Sequence, residues 1–92
     1  MALILDKTEQ KIVDIIDAHR NEIIAFAKDI YTHAELGYKE YRTAEKFASF
    51  MKNLGLETKE GLAVTGVKAY LNEEEKTNVS LALIGELDAL RI

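Results

Sequence analysis

A long apolar stripe constrains the first third of the chain. Apolar residues recur at spacings of four and three, with one histidine in the same line: Ile12, Ile16, His19, Ile23, Phe26 or Ala27, and Ile30. This is the period of one face of an α-helix, so the pattern predicts a helix over about residues 8–32. Asp6 or Thr8 can cap its start, and Glu9 lies in the first turn, where an acidic side chain is favourable.

The period changes in the second half of the chain. A further stripe at helical spacing predicts a second helix over about residues 40–54, which Gly55 would end in a left-handed cap. Alternation with period two then predicts strands over about 56–60 and 66–72, and the apolar run "VSLALIG" predicts a third over about 79–86. The last two strands are expected to pair antiparallel, with the final strand covered on both faces. The predicted fold class is α/β, with two N-terminal helices followed by about three β-strands.

The composition limits the possible partners. The 92 residues suffice for one small domain, and a net charge of −4 without a basic patch argues against nucleic acid. The longest apolar runs are far shorter than the roughly 20 residues of a membrane span, so no membrane partner is expected. The chain has no cysteine, which excludes disulfides and thiolate metal sites and favours the cytoplasm.

Glu86 and Asp88 are the first candidates for chemistry. In an extended strand they would share one side, about 6.6 Å apart along the backbone. They also follow an apolar strand, where open α/β sheets place their ligand sites. Such a pair could bind a divalent metal or perform acid–base work. Spacing alone favours the plainer interpretation that the two acids mark the solvated end of a strand.

The histidines give weaker indications. His33 and Glu35 form an H-x-E pair, but the zinc deaminases that use this pair also need P-C-x-x-C, and this chain has neither proline nor cysteine. His33 is instead expected to cap the helix end or to bond a loop. His19 is interpreted as a packing residue of the stripe. Thr65 and Gly66 are typical of a turn before a strand, although their polar backbone could also face a substrate.

Several segments in a fixed order resemble one enzyme family. "HAELGYKEYRTAEKFASFMKNLGLE" resembles the H-P-E-L-G…E…T-A segment of metal-dependent amidohydrolases and peptidases of the aminoacylase and carboxypeptidase-G family. "AVTGVKAYL" resembles that family's T-G-V strand, and "VSLALIGELDALRI" its next strand, which ends in D-x-D-A-L-P. The branch that these segments resemble includes the hydrolases of hippurate, indole-acetyl-amino acids and aminobenzoyl-glutamate. Ala34 and Arg91 stand where the family has proline, which indicates a divergent member.

The resemblance implies a catalytic domain like that of the zinc aminopeptidases, in an enzyme several times longer than this chain. Such enzymes cleave the amide bonds of N-acyl amino acids or short peptides with two divalent ions, Zn, Mn or Co, a bridging water and a glutamate as general base. Residues 1–92 would then be a single partial fragment of that domain, inactive and without bound metal on its own, and prone to self-association. The remaining ligands and the general base would lie beyond Ile92.

Individual residues carry over from the family motifs. Asp88 matches the aspartate that supports the metal centre, partly by orienting a ligand, and is the candidate catalytic position. Glu86 falls where relatives have a metal-binding His or Asp, while His33, Thr65 and Gly66 occupy other motif positions. Two alternatives stay open: a non-catalytic interaction module that pairs through its terminal strand, and a small metal-binding domain using Glu86, Asp88 and His33. The second lacks the three or four convergent ligands that tight binding requires.

Overall fold

The computed structural model describes residues 4–71 and 81–90. These residues form an α/β mix of three helices and two antiparallel strands, which confirms the predicted class. The elements are α1 (Lys7–Ala18), α2 (Arg20–Thr32), α3 (Tyr41–Asn53), β1 (Glu57–Leu62) and β2 (Gly66–Tyr70). Their contacts divide the chain between Thr32 and His33 into two compact units. The assignment of residues 1–92 to one partial catalytic domain stays a prediction.

The helix expected over residues 8–32 is two helices, because the backbone departs from the helical conformation at His19. The backbone of His19 has φ −104° and ψ 14°, outside the helical region. Its N–H is shared between the carbonyl oxygens of Ile15, at 3.2 Å, and Ile16, at 3.1 Å. Such shared bonds are common where helices end. The apolar period runs unchanged across the break, so the stripe alone could not reveal it.

The start of α1 is capped as the sequence predicts. The Asp6 carboxylate accepts a hydrogen bond of 2.8 Å from the Glu9 N–H, and the Glu9 carboxylate accepts one of 3.1 Å from the Asp6 N–H. This reciprocal capping box satisfies backbone donors that the helix itself leaves without partners. Neither α1 nor α2 contains a buried residue, so the stripe fixes the helical period but is not covered within this unit. In the described part of the chain, no helix combines the length and apolarity needed to cross a membrane.

Gly55 ends α3 in the left-handed conformation predicted for it, with φ 80°. Its N–H donates to the Lys52 carbonyl at 2.9 Å, and the Leu56 N–H donates to the Met51 carbonyl at 3.2 Å. These two bonds form a Schellman motif, which satisfies the last carbonyls of the helix and reverses the chain. The chain therefore leaves α3 directly into β1.

β1 and β2 form a tight antiparallel hairpin. Glu57 pairs with Tyr70 and Leu62 with Gly66, so only residues 63–65 connect the strands. The register shifts between Lys59 and Leu62, where Gly61 has φ 69°, the left-handed backbone that many β-bulges require. The hairpin packs against α3, which brings the turn at residues 63–65 into the same unit as the start of that helix.

The expectation for the third strand is wrong for the described residues. Residues 79 and 80 lie outside them, and residues 81–86 form no strand. β2 pairs with β1 rather than across the charged loop, since a three-residue turn closes with less loss of chain entropy than a longer connection. Leu83 is 93% exposed and Ile84 is 92% exposed, so this run is not covered on both faces here. An apolar run becomes a strand only where a neighbouring strand completes its hydrogen bonds.

The connecting turn is strained at Val64, whose φ of 82° is unfavourable for a β-branched residue. Because a left-handed L-residue costs about 1–2 kcal/mol and glycine's extra freedom when unfolded costs about 0.5–1 kcal/mol, Val64→Gly is expected to raise the free energy of unfolding by up to about 1 kcal/mol. Urea denaturation measures this effect. Val67→Gly, in β2 where φ is not positive, is the matched control and should lower stability; equal losses in both variants would contradict the strain.

Candidate functional site

The buried positions of the second unit are mostly polar. Among the described residues, Thr43 is 1% exposed, Glu40 6% and Thr65 8%, and Ala48 is the buried apolar residue beside them. Burying polar groups costs free energy unless they are hydrogen-bonded. Every buried side-chain nitrogen and oxygen in the described part of the chain has such a partner. The polar residues thus form a built arrangement around the start of α3.

Glu35 caps α3 from the preceding loop. Its Oε1 accepts hydrogen bonds from the Thr43 N–H at 2.6 Å and the Thr43 hydroxyl at 2.7 Å, and its Oε2 accepts one from the Arg42 N–H at 3.2 Å. Glu40 occupies the N-cap position but makes no capping bond with its side chain. The carboxylate of Glu35 therefore satisfies the free N–H groups of the first turn, a task usually done by the N-cap residue itself.

These bonds hold the pKa of the Glu35 carboxyl below its ordinary value. The Thr43 hydroxyl contributes most, followed by the Thr43 N–H and then the Arg42 N–H and the Arg42 charge, while partial burial opposes them. Donors that bond only the ionised carboxylate favour that form. A lowered pKa in the folded state means that ionised Glu35 stabilises the fold above the unfolded pKa, and that this contribution is lost as the pH falls through the folded pKa.

Glu35→Gln should therefore change how stability depends on pH. At about pH 7 the variant is expected to unfold at lower urea than the wild type, because it lacks the charge that caps α3. The difference should shrink as the pH falls below the ordinary glutamate pKa of about 4.3 and through the lowered value of Glu35. Glu45→Gln, at an exposed position in α3, serves as the control. A Glu35→Gln deficit that is independent of pH would contradict this role.

Glu40 links the start of α3 to the hairpin turn. The Thr65 hydroxyl donates a hydrogen bond to Glu40 Oε2, and both residues are buried. The other oxygen, Oε1, lies 3.8 Å from the point where a Cβ on Gly37 would stand, and Asp88 Oδ2 lies 3.9 Å from the same point. The carboxyl groups of Glu40 and Asp88 therefore both lie beside Gly37, where a larger side chain would meet each of them.

Asp88 is anchored by its neighbour. The Ala89 N–H donates to the Glu35 carbonyl oxygen at 2.7 Å, which ties the segment to the loop before α3. Leu87 and Ala89 are partly buried, while Glu86 and Asp88 are exposed. This alternation is typical of an extended backbone with one side turned inward. Asp88 thus combines an exposed side chain with a neighbouring backbone N–H that is hydrogen-bonded to the loop before α3.

The structure brings only some of the predicted site residues together. Asp88 and Glu40 both lie beside Gly37, and Glu40 accepts a hydrogen bond from Thr65, which precedes Gly66. Glu86 and His33 are exposed, and His33 follows directly after α2. Within the described residues no three His, Cys, Asp or Glu side chains could jointly hold a metal, so Glu86, Asp88 and His33 do not form a metal centre. A single ligand role for Glu86 stays a prediction.

Sequence reasoning missed Glu40 and Thr43, and it treated Glu35 only as part of an excluded zinc motif. A signal was nevertheless present, because all three occupy lettered positions of the H-P-E-L-G…E…T-A pattern. In the structure, these motif residues make specific hydrogen bonds. Glu35 bonds Thr43, and Glu40 bonds Thr65 of the T-G-V segment.

Comparison with known proteins gives a related result. Thermostable carboxypeptidase 1 and thermostable carboxypeptidase 2 of Saccharolobus solfataricus are each 28% identical to this chain over 87 residues. The alignment covers 87% of this chain but 22% of each carboxypeptidase, so the chain spans about a fifth of the length of these relatives. No protein-family model matches the chain, and no solved structure matches it. The similarity indicates a peptidase-related chain, without singling out an amidohydrolase branch.

Proposed function

We propose that this chain is the N-terminal part of the catalytic domain of a metal-dependent amidohydrolase or peptidase. Its substrates would be N-acyl amino acids or short peptides cleaved at an amide bond. One observation carries the proposal: residues from three separate motif segments, Gly37 with Glu40, Thr65, and Asp88, converge on one place in the second unit. The similarity to two carboxypeptidases supports the same class of reaction.

Within this proposal, Asp88 is the residue of this chain that would support the catalytic metal centre. Its carboxylate is accessible while its backbone is held, which suits a group that orients another ligand or a reacting water rather than one that moves during the reaction. The described residues do not fit a complete metal site, so Zn, Mn or Co would depend on ligands from elsewhere in a longer protein. A cytoplasmic location is part of the same proposal.

A chimaera tests the proposal directly. The aligned segment of thermostable carboxypeptidase 1 is replaced by the corresponding residues of this chain, and the purified product is assayed with an N-acyl amino acid and a short peptide. Zn, Mn and Co are added back separately after treatment with a chelator. We expect hydrolysis that requires the metal, because the segment would supply the same supporting contacts as the part that it replaces.

Two controls make the outcome decisive. The parent carboxypeptidase is assayed in parallel, and circular dichroism with a melting curve shows whether the chimaera folds. If a folded chimaera binds the metal and hydrolyses neither substrate, the proposal is wrong. If it does not fold, a second chimaera that exchanges residues 33–90 alone replaces it, since these residues belong to the second unit and contain the contacts of the candidate site.

The alternative of an interaction module stays a prediction, and the mass of the chain in solution separates it from the first proposal. A module that pairs through residues 79–86 should give one defined oligomer across a range of concentrations. A segment of a larger catalytic domain should give no such fixed stoichiometry. Analytical ultracentrifugation at several concentrations distinguishes the two outcomes.

A further inference from the structure

We infer that Glu40 and Thr65 are positioning residues for Asp88. The inference rests on the proposed function, since that proposal is what gives Asp88 its role. Glu40 connects the arrangement: one carboxylate oxygen accepts a hydrogen bond from the Thr65 hydroxyl, and the other lies beside Gly37, as does Asp88 Oδ2. We call these four residues, Gly37, Glu40, Thr65 and Asp88, the Glu40 brace.

The start of α3 does not need Glu40 as a cap. Glu35 already bonds the Arg42 and Thr43 N–H groups, and the Glu40 side chain makes no capping bond. A carboxylate that is 6% exposed costs free energy to desolvate, and an apolar side chain of similar volume would avoid that cost. Glu40 is therefore poorly explained by helix capping or by packing, and its contacts point to a role in placing Thr65 and Asp88.

Thr65 is held firmly on the other side of the bond. Ala63 and Val64, directly before it, have φ values of 47° and 82°, in the left-handed region that these residues rarely adopt. Directly after it, Gly66 approaches the Leu62 carbonyl so closely that a Cβ would lie 2.5 Å from the oxygen. Local strain of this kind persists only where surrounding contacts over-determine it, and it concentrates at functional sites. The turn thus constrains the backbone on both sides of Thr65, whose hydroxyl donates to Glu40.

The segment that contains Asp88 contacts the segment of Glu35, Gly37 and Glu40, which in turn is hydrogen-bonded to Thr65. The backbone next to Asp88 is tied to Glu35 through the Ala89 N–H, and the Asp88 carboxylate lies beside Gly37, as does the Glu40 carboxylate. A change at Thr65 should therefore reach Asp88 through Glu40, although Thr65 and Asp88 belong to separate segments of the chain. Such coupling distinguishes a positioning residue from one that only stabilises the hairpin.

Nuclear magnetic resonance of the 92-residue chain tests this coupling without any substrate or metal. The readouts are the carboxyl carbon shift of Asp88 and the hydrogen exchange rate of the Ala89 amide. Thr65→Val removes the hydroxyl at nearly constant volume and is expected to move the Asp88 shift and to raise Ala89 exchange about tenfold, as expected when a buried bond to a charged group is lost. Thr65→Ser keeps the hydroxyl and should restore both signals.

Thr58→Val is the matched control. Thr58 lies in β1 and donates its hydroxyl to the Leu56 carbonyl at 3.1 Å, so its loss weakens the same hairpin away from Glu40. We expect it to leave the Asp88 shift and the Ala89 exchange rate unchanged. Glu40→Gln is the second variant, because it keeps shape and an acceptor for Thr65 while removing the charge beside Asp88. It should move the Asp88 shift even if Thr65→Val does not fold.

Unchanged Asp88 and Ala89 signals in Thr65→Val would overturn the inference, as would equal effects of Thr65→Val and Thr58→Val. If Thr65→Val does not fold, an unchanged Asp88 shift in Glu40→Gln overturns it instead. None of these results bears on the proposed function, which depends on hydrolysis by the chimaera. Conversely, an inactive chimaera would leave the coupling measured in the isolated chain intact.

Discussion

Asp88→Asn is expected to lower the rate of amide hydrolysis by the chimaera about a hundredfold. Asparagine has nearly the same shape as aspartate, so the tie of Ala89 to the Glu35 carbonyl should survive. What is lost is the negative charge that would orient a ligand or a proton at the centre. Groups in this supporting position typically contribute 10- to 100-fold to activity or metal affinity, and the accessible carboxylate of Asp88 suits such a role.

The effect should fall on kcat and on metal affinity more than on KM. An orienting carboxylate acts on the reacting centre, whereas KM mainly reflects contacts with the remainder of the substrate. Steady-state kinetics and calorimetric titration of Zn and Mn separate these quantities. Asp17→Asn, at an exposed position in α1, is the control and should match the wild type in both. If the activity of Asp88→Asn stays within twofold of the wild type, Asp88 does not support the metal centre of the enzyme.

The helices could be predicted from the sequence because their period is local. The stripe from Ile12 to Ile30 indicates helix at each turn, and Gly55 marks the end of α3 by a conformation that glycine adopts easily. The break at His19 lies in the backbone angles of one residue, whose N–H is shared between two carbonyls, and it leaves the apolar period unchanged. Local patterns therefore predict the type of element better than its continuity.

The third strand shows the opposite limit. "VSLALIG" has the composition of a buried strand, but burial and pairing are properties of neighbours that a local pattern does not contain. In the described part of the chain the hairpin turn at residues 63–65 gives β2 its partner, and Leu83 and Ile84 are left exposed. The exposed apolar faces of α1 and α2 show the same limit. Their period predicts a helix, but it does not indicate which part of a protein would bury the apolar face.

The candidate site depended on the resemblance rather than on spacing. Glu40 and Thr65 are 25 residues apart, and nothing in either local segment indicates that they bond. Spacing alone pointed to Glu86 and Asp88 as a pair, whereas the structure places Asp88 with Glu40 and Gly37. The ordered motif did indicate which residues belong to the site, because its glutamates, threonines and glycines are the residues whose contacts join separate segments.

Gly66→Ala is expected to lower the free energy of unfolding by about 2 kcal/mol or more. A Cβ at this position would stand 2.5 Å from the Leu62 carbonyl oxygen and 3.3 Å from the Leu62 carbonyl carbon. These are backbone atoms of the paired strand, so relief requires the hairpin itself to shift rather than a side chain to turn. Alanine restricts the unfolded chain more than glycine, which favours folding by about 0.4–1 kcal/mol, but the clash exceeds that gain.

Gly85→Ala separates the clash from the general effect of adding a methyl group. A Cβ at Gly85 meets no atom within 4 Å, and its φ is not positive, so this variant should stay within about 0.5 kcal/mol of the wild type. Urea denaturation measures both variants. Because Gly66 follows Thr65 directly, a shift of the hairpin should also weaken the bond to Glu40 and speed Ala89 exchange in Gly66→Ala alone. Equal stability of the two variants would mean that the close approach of Gly66 to Leu62 does not exist in solution, and the Glu40 brace would lose the support that fixes Thr65.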